Sequence, residues 1–93
     1  MNVVFRVDSS SQMGAGHFMR CLTLADELEK QNHNITFICR KLKGNLIKSI
    51  EHRVHTLPVD KDFQSDDLYL SWLGATQEQD AKQTIQVIHD NVD

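Results

Sequence analysis

Val3, Val4 and Phe5, with Val7 beyond Arg6, make a β-branched and aromatic run that is nearly continuous, the pattern of a strand buried on both faces. It predicts a strand over residues 2–8, a candidate for the centre of a parallel sheet. The run stops at Asp8-Ser9-Ser10-Ser11, whose short side chains bond nearby backbone, and Gly14-Ala15-Gly16 follows, which predicts a strand-to-helix loop. From His17 to Lys30, Phe18, Leu22, Ala25 and Leu28 recur at helical spacing on a polar background, so an amphipathic helix is expected. After the polar break at 31–34, Ile35 to Cys39 reads as a second strand. Leu46, Ile47 and Ile50 predict a helix over about 44–51, and Val54 to Leu57 predicts a third strand closed by Pro58. Residues 59–73 read as a polar, irregular connection. Thr76 with Gln79 three residues on has the form of a capping box, and opens a helix whose buried stripe would be Ala81, Ile85, Ile88 and Val92.

Strand, helix, strand, helix, strand, loop, helix is an α/β order that calls for a doubly wound parallel sheet with helices on its faces. The last helix runs to the final residue, where such a fold continues with another strand, so residues 1–93 are expected to be an incomplete domain. A chain of 93 residues allows one domain at most and buries a modest share of its surface, which makes its stability marginal.

With 25% charged residues and no apolar stretch near the ~20 residues of a bilayer helix, no membrane span is expected. Arg6 and Asp8 break the one apolar run near the N-terminus, so a secretory signal is not expected and the cytoplasm is the default location. Two widely separated cysteines are then read as reduced thiols. Ten basic against thirteen acidic residues, with no basic cluster longer than Arg40-Lys41-x-Lys43, argues against nucleic acid as a partner.

Ligands of open parallel sheets bind beyond the carboxyl ends of the strands, which directs attention to residues 8–17. Gly14 and Gly16 let a ligand approach the backbone, and the start of the following helix presents free N–H groups suited to a phosphate or pyrophosphate. The dinucleotide fingerprint fails because Met19 stands where a third glycine belongs, and no Gly-Lys-Ser/Thr exists for a P-loop. Glycines after a strand more often serve the turn alone. At His17 the helix dipole disfavours a second positive charge, which suits an imidazole that accepts a proton as general base; capping the helix is the plainer role.

The stretch Asp8-Ser-Ser-Ser-Gln-Met-Gly-Ala-Gly-His-Phe-Met-Arg-Cys-Leu-Thr-Leu-Ala25 resembles the N-terminal signature of the UDP-sugar hydrolases of pseudaminic acid biosynthesis, also labelled spore coat polysaccharide biosynthesis proteins. Trp72-Leu-Gly-Ala-Thr-Gln-Glu-Gln-Asp-Ala81 is similar to a second segment of that family. The resemblance implies a Rossmann-like parallel sheet with flanking helices, the partial N-terminal domain of a GT-B-like fold whose C-terminal nucleotide-binding domain is absent. It also implies hydrolysis of a UDP-2,4-diacetamido-trideoxy sugar at its anomeric C–O bond, without metal or other cofactor, and with His17 as the base. By the same resemblance Gly14, Ala15, Gly16 and Arg20 would face the substrate, Arg20 reaching a phosphate or an acidic partner. Asp8 joins the substrate site as a residue that would orient loop amides or His17, the plainer role being a turn residue bonded to its own backbone. Ala15 replaces the family's usual threonine. The alternatives are a GT-B nucleotide-sugar glycosyltransferase, in which His17 would deprotonate an acceptor hydroxyl, and a non-catalytic remnant.

Three further groupings carry less. His17 and Cys21 have the spacing of two metal ligands, which Cys39, His52 and His55 would have to complete; buried cysteines acting as small apolar residues are the simpler reading, and no metal is expected. Tyr69 and Trp72 would line a sugar pocket or anchor their loop. Asp66-Asp67 read as solvated loop charge, and Glu78 with Asp80 as a complement to the helix dipole.

Overall fold

The computed structural model describes residues 1–59 and 75–91. Strands β1 (Asn2–Arg6), β2 (Asn34–Arg40) and β3 (Arg53–Leu57) form one parallel sheet in that order. Helix α1 (Gly16–Lys30) joins the first two strands, a 3-10 turn at Ile47–Ser49 precedes the third, and α2 (Gln77–Asn91) follows. The class is α/β, a Rossmann-like parallel sheet flanked by two helices.

Side chains alternate between sheet faces, and the two faces differ in chemistry. Val3 lies opposite Ile35 and Phe5 opposite Phe37. With Val7 and Cys39 one step further along, these residues make the apolar face on which α1 packs Phe18 and Ala25, both fully buried, and Cys21, Leu22 and Leu28. The Phe5 and Phe37 rings stack with centroids 5.1 Å apart. The opposite face carries Arg6 beside Ile38, then Arg40 beside Leu57, and there α2 docks through Asp80. Helix α1 starts without a side-chain cap, since Ala15 has no hydroxyl to offer. It ends in a Schellman arrangement: Asn32, at φ 70°, donates its N–H to Glu29 O, and His33 donates to Leu28 O.

Among the described strands β2 lies between the other two and is buried from Ile35 to Arg40, while β1 is half-buried. Two expectations need correction. The helix expected over 44–51 is a single 3-10 turn: Ser49 N–H donates to Leu46 O at 2.9 Å and Ile50 N–H to Ile47 O at 3.0 Å, after which Ile50 is extended, while Gly44 before it sits at φ +77°. Leu46 N–H goes to Ser9 Oγ at 2.7 Å and Ile47 N–H to Asn45 Oδ1 at 3.1 Å, which ties the start of the turn to the loop after β1. Leu46, Ile47 and Ile50 still pack against the core. In α2 the cap forms as expected, with Gln79 N–H donating to Thr76 Oγ1 at 3.0 Å. Its stripe is not buried, however: Ile85 is 65% exposed and Ile88 36%, and Ala81 is exposed too. A sheet with three described strands leaves the later turns of α2 little to cover. Val92 and the connection over 60–74, with Asp66, Asp67, Tyr69 and Trp72, lie outside the described residues.

Candidate functional site

The loop after β1 is braced at its base and open at its tip. Ser9 and Ser10 are buried. Ser9 Oγ accepts the Leu46 N–H, Ser10 Oγ accepts those of Gln12 and Met13 at 3.2 and 3.1 Å, and Ser11 donates its N–H to Lys43 O at 2.9 Å. Gly44 admits this approach: a Cβ there would stand 2.8 Å from Ser11 N and Cβ. The serines do more than favour a turn, since they lock the loop to the segment after β2.

Beyond that lock, Gly14, Ala15, Gly16 and His17 are all exposed, and Arg20 is exposed one turn into α1. Neither Gly14 nor Gly16 has a positive φ, and a Cβ on either would meet nothing within 4 Å. The fold itself therefore makes no demand for glycine at these positions. His17 Nε2 lies 3.9 Å from Cys21 Sγ, a weak contact one turn on. No carboxylate among the described residues is bonded to His17.

Asp8 belongs to a different place. Its carboxylate accepts two bonds from the Arg6 guanidinium, at 2.5 and 3.0 Å, and the Arg40 backbone N–H at 2.8 Å. It is thus a partner of the sheet's arginines and does not orient His17. Arg6 also reaches Asp80 on α2, and Arg40, with no exposed surface, donates to Asp80 Oδ1 at 2.6 Å and to Pro58 O at 2.5 Å. Asp80 is therefore an ion-pair partner as well as a first-turn acid. Burial works against its charge, but the bonds from Arg6 and Arg40 hold its pKa below the ordinary carboxylate value. Beside this network lies a cleft of about 290 Å³, lined by Arg6 and Asp8 from the sheet and by Ala75, Thr76, Gln77 and Asp80 at the start of α2. The network itself, Arg6 and Arg40 with Asp8 and Asp80, pairs two guanidinium with two carboxylate groups, a balance of charge that suits holding α2 in place rather than moving protons.

The site residues expected from sequence thus fall into two places: residues 14–17 with Arg20 on the open loop, and Asp8 on the balanced network. Arg6, Arg40 and Asp80 were not anticipated as a group. The signal available was the alternation Phe5, Arg6, Val7, Asp8, which puts two charges on one strand face and requires partners for them. The five candidate metal ligands do not assemble. Cys39 is buried in the core, where burial first and then the nearby Asp8 charge push its thiol up to about 12, and both nitrogens of His52 face carboxylates. Among the described residues no three His, Cys, Asp or Glu side chains gather as a metal site, and no helix is long and apolar enough to cross a membrane.

The chain is 42% identical over 64 residues to the UDP-2,4-diacetamido-2,4,6-trideoxy-beta-L-altropyranose hydrolase of Campylobacter jejuni, a match that covers 69% of this chain and 22% of that protein. The chain spans about a fifth of the length of this curated relative. No family model and no solved structure matches it. The similarity supports a relationship to enzymes of this kind over the matched segment.

Proposed function

We propose that the chain is the substrate-facing N-terminal part of a UDP-sugar hydrolase of pseudaminic acid biosynthesis, with His17 as its catalytic base. The observation that supports this is the form of the loop: a rigid base of buried serines, and a tip of Gly14 to His17 left open at the carboxyl end of β1. Exposed glycines that neither the backbone nor the packing requires are explained by a ligand that comes close to them. The similarity to the Campylobacter hydrolase supplies the substrate class.

In this reading His17 takes a proton from a water molecule, whose oxygen attacks the anomeric carbon from the face opposite UDP. The C–O bond to the diphosphate breaks, UDP leaves with the electron pair, and the configuration inverts. Gly14, Ala15 and Gly16 admit the sugar diphosphate to the loop, the N–H groups at the uncapped start of α1 and the exposed Arg20 face its charge, and no metal is needed. The uracil and ribose pockets belong to a C-terminal domain of GT-B type.

The test is UDP release from the diacetamido UDP-sugar by this chain fused to the remainder of the Campylobacter relative. Replacement of His17 by alanine is expected to lower kcat by about 100-fold or more. Full turnover in the His17→Ala protein would reject His17 as base. Release that depends on an added sugar or lipid acceptor would favour a transferase instead.

A further inference from the structure

His52 stands just before β3, beneath the second half of α1. Its side chain is 5% exposed, and each ring nitrogen faces a carboxylate of that helix. Nε2 lies 2.8 Å from Asp26 Oδ1, and Nδ1 lies 2.8 Å from Glu29 Oε2. The ring is stacked on Phe37 of β2, with centroids 5.9 Å apart and planes 20° from parallel. Asp26 and Glu29 are three residues apart, one helical turn, so a single imidazole spans both.

A neutral imidazole has one N–H and one lone pair, whereas an ionised carboxylate only accepts. Two contacts of 2.8 Å, one at each nitrogen, are therefore satisfied together only when both nitrogens carry hydrogen. We propose that His52 is a charged clasp between α1 and the sheet, and that loss of its proton releases the helix, which makes the clasp a pH-operated device built into the fold. Deprotonation does more than delete a bond, because it sets a nitrogen lone pair against a carboxylate at hydrogen-bonding distance.

The charged groups facing the ring are Asp26 and Glu29 from α1. The sheet contributes the uncharged Phe37 ring, and the chain neighbours Glu51 and Arg53 are exposed. Burial opposes the charge on His52, but the bonds to Asp26 and Glu29 and their charges outweigh it and raise its pKa above 6.5. A raised folded value stabilises the fold fully below the unfolded value and loses that contribution as pH climbs through the folded value. The device thus holds α1 at pH values below the elevated His52 value. It concerns the position of α1, the helix that carries His17 in its first turn, and stands whatever the loop binds.

The experiment is a proton NMR titration of the five histidine rings, with His52 assigned by its loss in His52→Gln. In the unsubstituted chain His52 is expected to titrate above 6.5. Asp26→Asn and Glu29→Gln should each lower that midpoint by about half a unit or more. The urea midpoint should fall as pH passes the same value, and His52→Gln should flatten that fall. A midpoint at or below 6.5, or one that neither carboxylate substitution moves, overturns the proposal. Should His52→Gln fail to fold, the two carboxylate variants still decide the matter, since Asp26 and Glu29 are 64% and 63% exposed.

Discussion

At the scale of single residues, the glycines separate what the fold needs from what a ligand would need. Gly44 combines φ +77° with Ser11 backbone and side-chain atoms 2.8 Å from any added Cβ, so Gly44→Ala must both strain the backbone and push the serine loop away. We expect it to lose about 2 kcal/mol in urea unfolding. Gly14→Ala and Gly16→Ala add a methyl to open space at ordinary φ, and should leave the urea midpoint within about 0.5 kcal/mol of the parent. If the loop faces the sugar diphosphate, the same two substitutions raise KM for the UDP-sugar in the fused protein. Unchanged KM in both would remove the glycines from the substrate site. Sequence alone marked Gly14 and Gly16 because they sit in a recognisable motif. It passed over Gly44, whose reason for being glycine is Ser11, far away in the chain and adjacent only once both loops are folded.

At the scale of elements, what was legible is what depends on local periodicity. The strands, α1 and the capped start of α2 follow from the spacing of apolar residues and from Thr76. The 3-10 turn at Ile47–Ser49 was not legible, because what anchors it is tertiary: its Leu46 N–H is held by Ser9 Oγ, a bond that spans 37 positions. The docking of α2 was equally hidden. An aspartate in a first helical turn suits the dipole by itself, and nothing local says that Asp80 also neutralises a fully buried arginine from β2. Asp80→Ala leaves Arg40 without its carboxylate partner in a place that water does not reach. We expect a loss of about 2 kcal/mol, below the usual cost of breaking a buried pair because Asp80 is 30% exposed and Arg6 keeps Asp8. The measurement is urea unfolding at neutral pH, and a midpoint equal to the parent's would mean that the network does not hold α2.

At the scale of the molecule, the sheet separates two charge devices. The His52 clasp holds α1 on one face, and Asp80 holds α2 on the other. Their linkages have opposite sign. Asp80 is depressed, so its contribution is present above the ordinary carboxylate value of 3.8 and is lost as pH falls through its folded value. His52 is raised, so its contribution is present below 6.5 and is lost as pH rises through its folded value. Stability should therefore be greatest between these two losses. The class of fold was readable from the order of elements, but this window was not, since each limb depends on groups brought together from different elements: Arg6, Arg40 and Asp80 on one face, Asp26, Glu29 and His52 on the other. Because the two sets share no residue and lie across the sheet, their effects should add. We expect Asp80→Asn to flatten only the acid limb of the urea midpoint plotted against pH, His52→Gln only the alkaline limb, and the double variant both, by the sum of the single changes. An alkaline limb altered by Asp80→Asn would show that the two helices move together, and that the sheet does not insulate one face from the other.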